Sequence, residues 1–129
     1  MAEARARLDA LPAKYPRLFP KGPLPWGFQH DDGWSALIET LCQRINTILK
    51  DDPEALLEVL QVKEKFGGLR FYYQLNDARD ETEVLIREAV SLAVEACDGV
   101  CERCGRPGKL GSRNGWLRTS CSVCRVDKT

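Results

Sequence analysis

From Trp34 onward the apolar positions fall on one side of a helix. Trp34, Leu37, Ile38, Leu41, Cys42, Ile45, Ile48 and Leu49 recur three and four residues apart, so the pattern predicts an amphipathic helix with Cys42 inside its buried stripe. A second stripe of Ile86, Ala89, Val90, Ala93, Val94 and Cys97 predicts a helix that starts near Asp80 and ends at Gly99, with Asp80 and Glu83 at capping-box spacing. Between the two, Asp52 followed by Pro53 predicts a short helix running to about Val59. The segment "LQVKEKFGGLRFYYQL" alternates on either side of Gly67 and Gly68, which predicts a β-hairpin closed by those two glycines. In that register Phe66 faces Leu69, Lys65 faces Arg70, Glu64 faces Phe71 and Val62 faces Tyr73. One hairpin face, with Leu60, Val62, Phe66, Leu69, Phe71, Tyr73 and Leu75, belongs to the core. Glu64 falls in the middle of that face, where a carboxylate needs a partner such as an arginine, a Trp or Tyr donor or a backbone amide.

Residues 12–25 hold five of the seven prolines, interleaved with Tyr15, Leu18, Phe19 and Leu24. This composition predicts a non-helical, extended arm whose apolar residues lie on the core. The expected architecture is α+β: helices packed on a β-hairpin, followed by a C-terminal module. The expected divisions are a Pro-rich arm over 1–33, an α-α-β-β-α core over 34–97 and the module over 98–129.

The module is defined by Cys101, Cys104, Cys121 and Cys124, two C-x2-C pairs separated by sixteen residues. Two cysteines so spaced in a tight turn can aim both sulfurs at one ion, and a second pair completes a tetrahedron. Gly105 suits the sharp reversal after the first pair. The competing reading is disulfides, since the six cysteines are an even number. The segment "MAEARARLDALPAKYPRL" has no apolar stretch of the kind that directs secretion, so a reducing cytoplasm and a bound zinc ion are expected instead. Four thiolates leave no coordination position for a reactive water, which makes the expected zinc structural. The zinc deaminase signature is missing: His30 is followed by Asp31 and Asp32, and no proline precedes Cys121. Cys97, three residues before Cys101, is assigned by its stripe to the core and not to the metal. The order of knuckle, Gly-rich hairpin bearing Trp116, and second pair at a helix start predicts a treble-clef-like finger.

Charge changes the picture only locally. Lys and Arg number 19, as do Asp and Glu, so no global basic charge points to nucleic acid. From Asp98 onward, however, seven basic residues stand against three acidic ones, whereas the remainder carries twelve against sixteen. The outer hairpin face adds Lys63, Lys65, Arg70, Tyr72 and Gln74, and like charges facing each other across strands call for an acidic or phosphate counterpart. No stretch reaches the roughly eighteen apolar residues of a membrane span.

The blocks "WGFQHDDGW", "LIETLCQRI", "QVKEKFGGLRFY", "CERCGRPGKL" and "GWLRTSC" together resemble a family of small proteins encoded by bacteria and their phages, over most of the chain from about Tyr15. The resemblance implies a C-terminal zinc site in which the last pair is often Cys-x2-His. Here Cys124 takes that histidine's place, and His30 stands near a position where the family commonly has a cysteine, so a thiol-dependent role does not carry over. The resemblance implies no activity. The leading functional expectation is a non-catalytic, zinc-stabilised protein-binding module of the inhibitor or immunity type. The alternative is a nucleic-acid-binding accessory protein. The candidate contact residues are Lys63, Lys65, Arg70, Tyr72, Arg106, Arg113, Trp116 and Arg118. A hydrolase or nuclease would require Glu64, His30, Asp31 and Asp32 to converge, which nothing in the sequence demands. His30 is instead expected in a loop at the helix entry, with Asp31 or Asp32 capping backbone amides.

Overall fold

Both long stripes fold as helices. The computed structural model describes residues 2–113 and 115–126, and of these the side chains of all but residues 2, 113, 125 and 126. The first stripe becomes a helix at Ser35–Lys50, entered through a 3-10 turn at Asp32–Trp34. Its Ile38, Leu41, Cys42, Ile45 and Leu49 are buried, and Trp34 has no exposed surface (0 %). The second becomes Asp80–Cys97, with Ile86, Ala89 and Cys97 buried. Burial pushes the thiols of Cys42 and Cys97 up to about 12, so both behave as core residues and not as ligands or nucleophiles.

The N-terminal arm departs from expectation. It opens with two helices, α1 at Ala2–Asp9 and α2 at Leu11–Lys14, before the extended stretch. Pro12 lies in the first turn of α2, where no amide hydrogen is required, so it starts a helix instead of forbidding one. Ala4, Leu8 and Leu11 form a narrow helical stripe, all buried, and α1 packs on the helix at Ser35–Lys50, which is α3. Tyr15, Leu18 and Phe19 are also buried, as the arm reading required. Arg17 ties the arm down by donating to the carbonyls of Leu49 (2.5 Å), Asp52 (3.1 Å) and Ala55 (2.9 Å).

The short helix expected from Asp52 to Val59 is a turn followed by strand β2, Leu56–Lys65. Leu57 and Val59 alternate as inward strand residues, and that period-two burial overrides the helix-forming composition around them. Asp52 does cap a helix, but a distant one. Its carboxylate accepts from the Arg79 amide (2.9 Å) and the Thr82 hydroxyl (2.8 Å) at the start of α4, the helix at Asp80–Cys97. The expected Asp80–Glu83 capping box is therefore absent: Arg79 is the N-cap residue and makes no side-chain cap bond.

β2 pairs antiparallel with β3, Gly68–Asn76, and β1, Phe28–Gln29, adds a parallel edge beside β2. The hairpin turn is Phe66-Gly67, with φ of 56° and 83°, and not Gly67-Gly68. Glu64 consequently pairs with Leu69, Lys63 with Arg70 and Val62 with Phe71. Moving a two-residue turn by one position changes every partner but leaves each residue on its original face. Phe66 is exposed (65 %), contrary to its assignment to the core, because it occupies the turn itself. Leu60 is exposed too, since a bulge between Val59 and Gln61 turns it outward.

α1, α3, the sheet and α4 share one apolar core that extends from Leu8 to Cys97. Beyond it lie the loop Cys101–Gly105, strands β4 (Lys109–Arg113) and β5 (Trp116–Ser120), and helix α5 (Ser122–Val126). The α+β class holds, with β1 as an additional strand. No helix among the described residues is long and apolar enough to cross a membrane.

Candidate metal centre and the cleft beside it

The loop after α4 turns back on itself so that Cys101 and Cys104 face the cysteines flanking the start of α5. Gly105 adopts a φ of 83° and donates its amide to the Cys101 carbonyl (2.9 Å), which closes the reversal. The sulfurs of Cys101, Cys104, Cys121 and Cys124 all lie within 4.8 Å of one another, and Cys104 and Cys121 are 3.5 Å apart. A tetrahedron with metal–sulfur bonds of about 2.3 Å has edges of about 3.8 Å, so the spacing fits one ion and exceeds a disulfide bond of about 2.05 Å. Among the described residues this is the one group of three or more Cys, His, Asp or Glu close enough to hold a metal.

Backbone amides favour negative charge on two of these sulfurs, Cys121 and Cys101, whereas Cys104 and Cys124 are shifted upward, Cys124 by burial to about 12. The Cys124 amide donates to the Cys121 sulfur at 3.4 Å and brings that thiol down to about 6. At Cys101 burial acts upward, but amides of Cys121, Cys104 and Arg103 outweigh it and leave the thiol below its ordinary value. Four clustered sulfurs, two of them with lowered thiol pKa, form a donor set suited to a borderline-soft cation.

The module is fastened to the core through the segment His30–Trp34. The Gly33 amide donates to the Glu102 carbonyl (2.6 Å), the Trp34 indole to the Val100 carbonyl (2.9 Å), and the Asp31 amide to the Glu102 carboxylate (2.9 Å). A side chain at Gly33 would place its Cβ 2.1 Å from the Cys101 carbonyl oxygen, so the approach needs glycine there. On the opposite side Thr119 donates its hydroxyl to the Gly67 carbonyl (2.7 Å), which docks β5 on the β2–β3 turn.

These two attachments enclose a cleft of about 350 Å³. His30 and Asp31, Glu64 at the end of β2, Glu102 in the cysteine loop, and Trp116 to Arg118 of β5 line it. His30, Asp31 and Glu64 thus converge, while Asp32 turns away to an ion pair with Arg5 (2.7 Å). Neither aspartate caps the helix entry: Asp31 pairs with Arg118 at 2.8 Å. Glu64 finds the backbone amide its position called for, at Gly67 (2.8 Å).

Glu102, 5 % exposed, lines the cleft and was not singled out in the sequence. Only its acidic character in a basic stretch, next to a cysteine that fixes its direction, marked it. Burial pushes its carboxyl upward, the Asp31 amide opposes this, and the charges of Asp31 and Glu64 add to it. His30 is 6 % exposed and packs beside Phe28 and Trp34. Its Nδ1 meets the Asp31 carbonyl at 2.8 Å, so Nδ1 carries the proton and Nε2, which has no hydrogen-bond partner, is bare.

Burial holds the His30 pKa below its ordinary 6.5. An imidazole depressed on folding is protonated more readily in the unfolded chain, so stability should fall as pH drops through about 6.5 and on toward the lower folded value. Urea midpoints between about pH 7.5 and 5 should fall less steeply for His30→Gln than for the wild type. Parallel slopes would remove His30 from the acid response.

Of the contact residues expected from sequence, Lys63, Lys65, Arg70 and Tyr72 do share the outer sheet face, with the Lys63 ammonium 5.9 Å from the Tyr72 ring. Arg106 is exposed in the cysteine loop and Trp116 is 78 % exposed. Arg118 is half-buried and already committed to Asp31, and the Arg113 side chain lies outside the described residues. Comparison of the chain with known protein families, curated proteins and solved structures finds no match.

Proposed function

We propose that the chain is a non-catalytic protein-binding module of the inhibitor or immunity type, in which one structural zinc ion on Cys101, Cys104, Cys121 and Cys124 holds a treble-clef-like unit against the core. A cytoplasmic setting belongs with this reading, because the ligands must stay reduced. The resemblance to small bacterial and phage proteins is compatible with it and adds no activity. Four thiolates fill a zinc ion's usual coordination, which leaves the metal a structural role.

The observation that carries the binding reading is Phe66. A type I′ turn asks for Asn or Gly at its first central position, yet here a phenylalanine adopts φ of 56° and stays 65 % exposed. A left-handed conformation costs an L-residue about 1–2 kcal/mol, and the exposed ring gains in return only the Lys65 ammonium 5.5 Å from its centroid. Strain of that kind is kept where a side chain is presented for contact. Trp116 and Leu110, both exposed, stand on the adjoining hairpin, and Leu110 reaches the Gly67 backbone.

Phe66→Asn should leave the fold unchanged or stabilise it by up to about 1 kcal/mol, while a protein partner that copurifies with the wild type from its host is lost. Retention of that partner at wild-type yield would overturn the reading.

The second reading, a nucleic-acid accessory protein, is favoured by one arrangement: Lys63 and Arg70 face each other across the sheet beside exposed Tyr72. A phosphate backbone would relieve that repulsion and Tyr72 would stack on a base. Binding of a labelled oligonucleotide should then weaken steeply with salt, and undetectable binding at low salt would end this alternative.

A further inference from the structure

Within the cleft, three carboxylates, Asp31, Glu64 and Glu102, face a single guanidinium, that of Arg118. Each carboxylate has one oxygen in a bond already described, to Arg118, to the Gly67 amide and to the Asp31 amide respectively. Among the described residues their second oxygens have no such protein partner. His30 lines the same cleft, is 6 % exposed, and its buried Nε2, which can only accept, has no hydrogen-bond partner among the described residues. A buried acceptor without a donor is costly, and three carboxylates against one guanidinium leave the cleft a net negative charge. The missing component is a cation rich in hydrogen-bond donors.

The shape of the cleft narrows the choice. These acids and His30 do not form a group close enough to hold a metal ion, whereas the four cysteines do. A guanidinium carries five donors in a planar fork that can span several acceptors, and its faces stack on aromatic rings. Trp116 stands on the wall of the cleft with most of its surface free (78 % exposed). The volume of about 350 Å³ is ample for one long side chain.

We propose that this cleft binds the guanidinium of an arginine side chain presented by the protein partner, held by Glu64 and Glu102, with His30 in the wall behind them, and covered by Trp116. The source of that arginine rests on the protein-binding reading; the chemistry of the cleft does not. Arginine is also the kind of residue that anchors interfaces by filling a pocket.

The test is titration of the full-length zinc-loaded protein with N-acetylarginine methylamide, followed through backbone amide NMR shifts. The expected result is saturable shifts confined to residues 30–31, 64, 102 and 116–118. The neutral citrulline analogue should bind at least about tenfold more weakly. Glu64→Gln, which keeps an acceptor for the Gly67 amide, should weaken the arginine probe by a similar factor. Trp116→Ala, at an exposed position that leaves the fold intact, should weaken it severalfold. Absence of localised shifts, equal binding of the citrulline analogue, or unchanged affinity in both variants would overturn the inference. So would manganese broadening the same amides at lower concentration than the arginine probe needs, which would make this an inorganic cation site. Failure of the probe would leave the Phe66 experiment untouched, so the two readings fall separately.

Discussion

Cys121→Ser is expected to unfold the C-terminal module while the helices of the core remain. A structural zinc site of the proposed type would contribute apparent binding free energy of about 10–16 kcal/mol, well above what the few hydrogen bonds from the core to Glu102, Arg118 and Thr119 supply. Their one buried cluster is Cys101, Cys121 and Cys124 with Cys104 packed against it. The core from Leu8 to Cys97 is a separate cluster and does not use those sulfurs. Hydrogen exchange should therefore show β4, β5 and the cysteine loop losing protection, while α3 and α4 keep theirs. The docking of Thr119 on Gly67 and of Asp31 on Glu102 would be lost together, which would also dismantle the cleft. Undiminished protection of β5 in the variant would mean that the module is held by something other than its metal.

Trp34→Ala is the second large effect. Trp34 is wholly buried where α3 begins, and truncating such a side chain costs about 3–5 kcal/mol. Its indole also satisfies the part-buried Val100 carbonyl at 2.9 Å, and losing that hydrogen bond adds about 0.5–1.5 kcal/mol. For a domain whose whole stability is about 5–15 kcal/mol, the variant should be marginal or unfolded in a urea titration. Trp34→Phe separates the two contributions, because it keeps most of the packing and removes the donor. Should Trp34→Ala unfold within about 1 kcal/mol of the wild type, the indole is not the link between core and module that the geometry makes it.

How much of this was legible in the sequence depended on whether the signal was local. α3 and α4 were plain because a helix repeats its own pattern within a few residues, and the cysteine spacing was plain because two knuckles are local turns. The stretch at Leu56 was misread because "PEALLEV" favours a helix taken alone, and only pairing with β3 and burial of Leu57 and Val59 make it a strand. The turn slipped by one residue because two glycines look like a better turn than Phe66-Gly67. What selects Phe66-Gly67 is tertiary: Thr119 bonds the Gly67 carbonyl, Glu64 its amide, and Leu110 occupies the space a side chain there would need. The Asp52 cap on α4 spans 27 residues to Arg79, beyond any local motif. α1 was missed because only Ala4 and Leu8 mark its buried side among alanines and charges.

The same distinction explains the site. The four ligands were legible; the cleft was not, because it joins residues from four separate segments, the first near residue 30 and the last near residue 118. Glu64 and His30 were singled out as unexplained, yet their convergence with Glu102 depends on how the module docks. A buried carboxylate beside a metal-binding cysteine has no signature of its own. On the proposed reading the chemistry of this molecule lies at the seam between core and module, and a metal on the four cysteines would hold that seam in place.

The central claim is that a single zinc ion sits on the four sulfurs, and native mass spectrometry of the purified chain tests it most directly. The account predicts one zinc per wild-type chain and none in Cys104→Ser or Cys121→Ser. Stoichiometric zinc retained in both variants would contradict it.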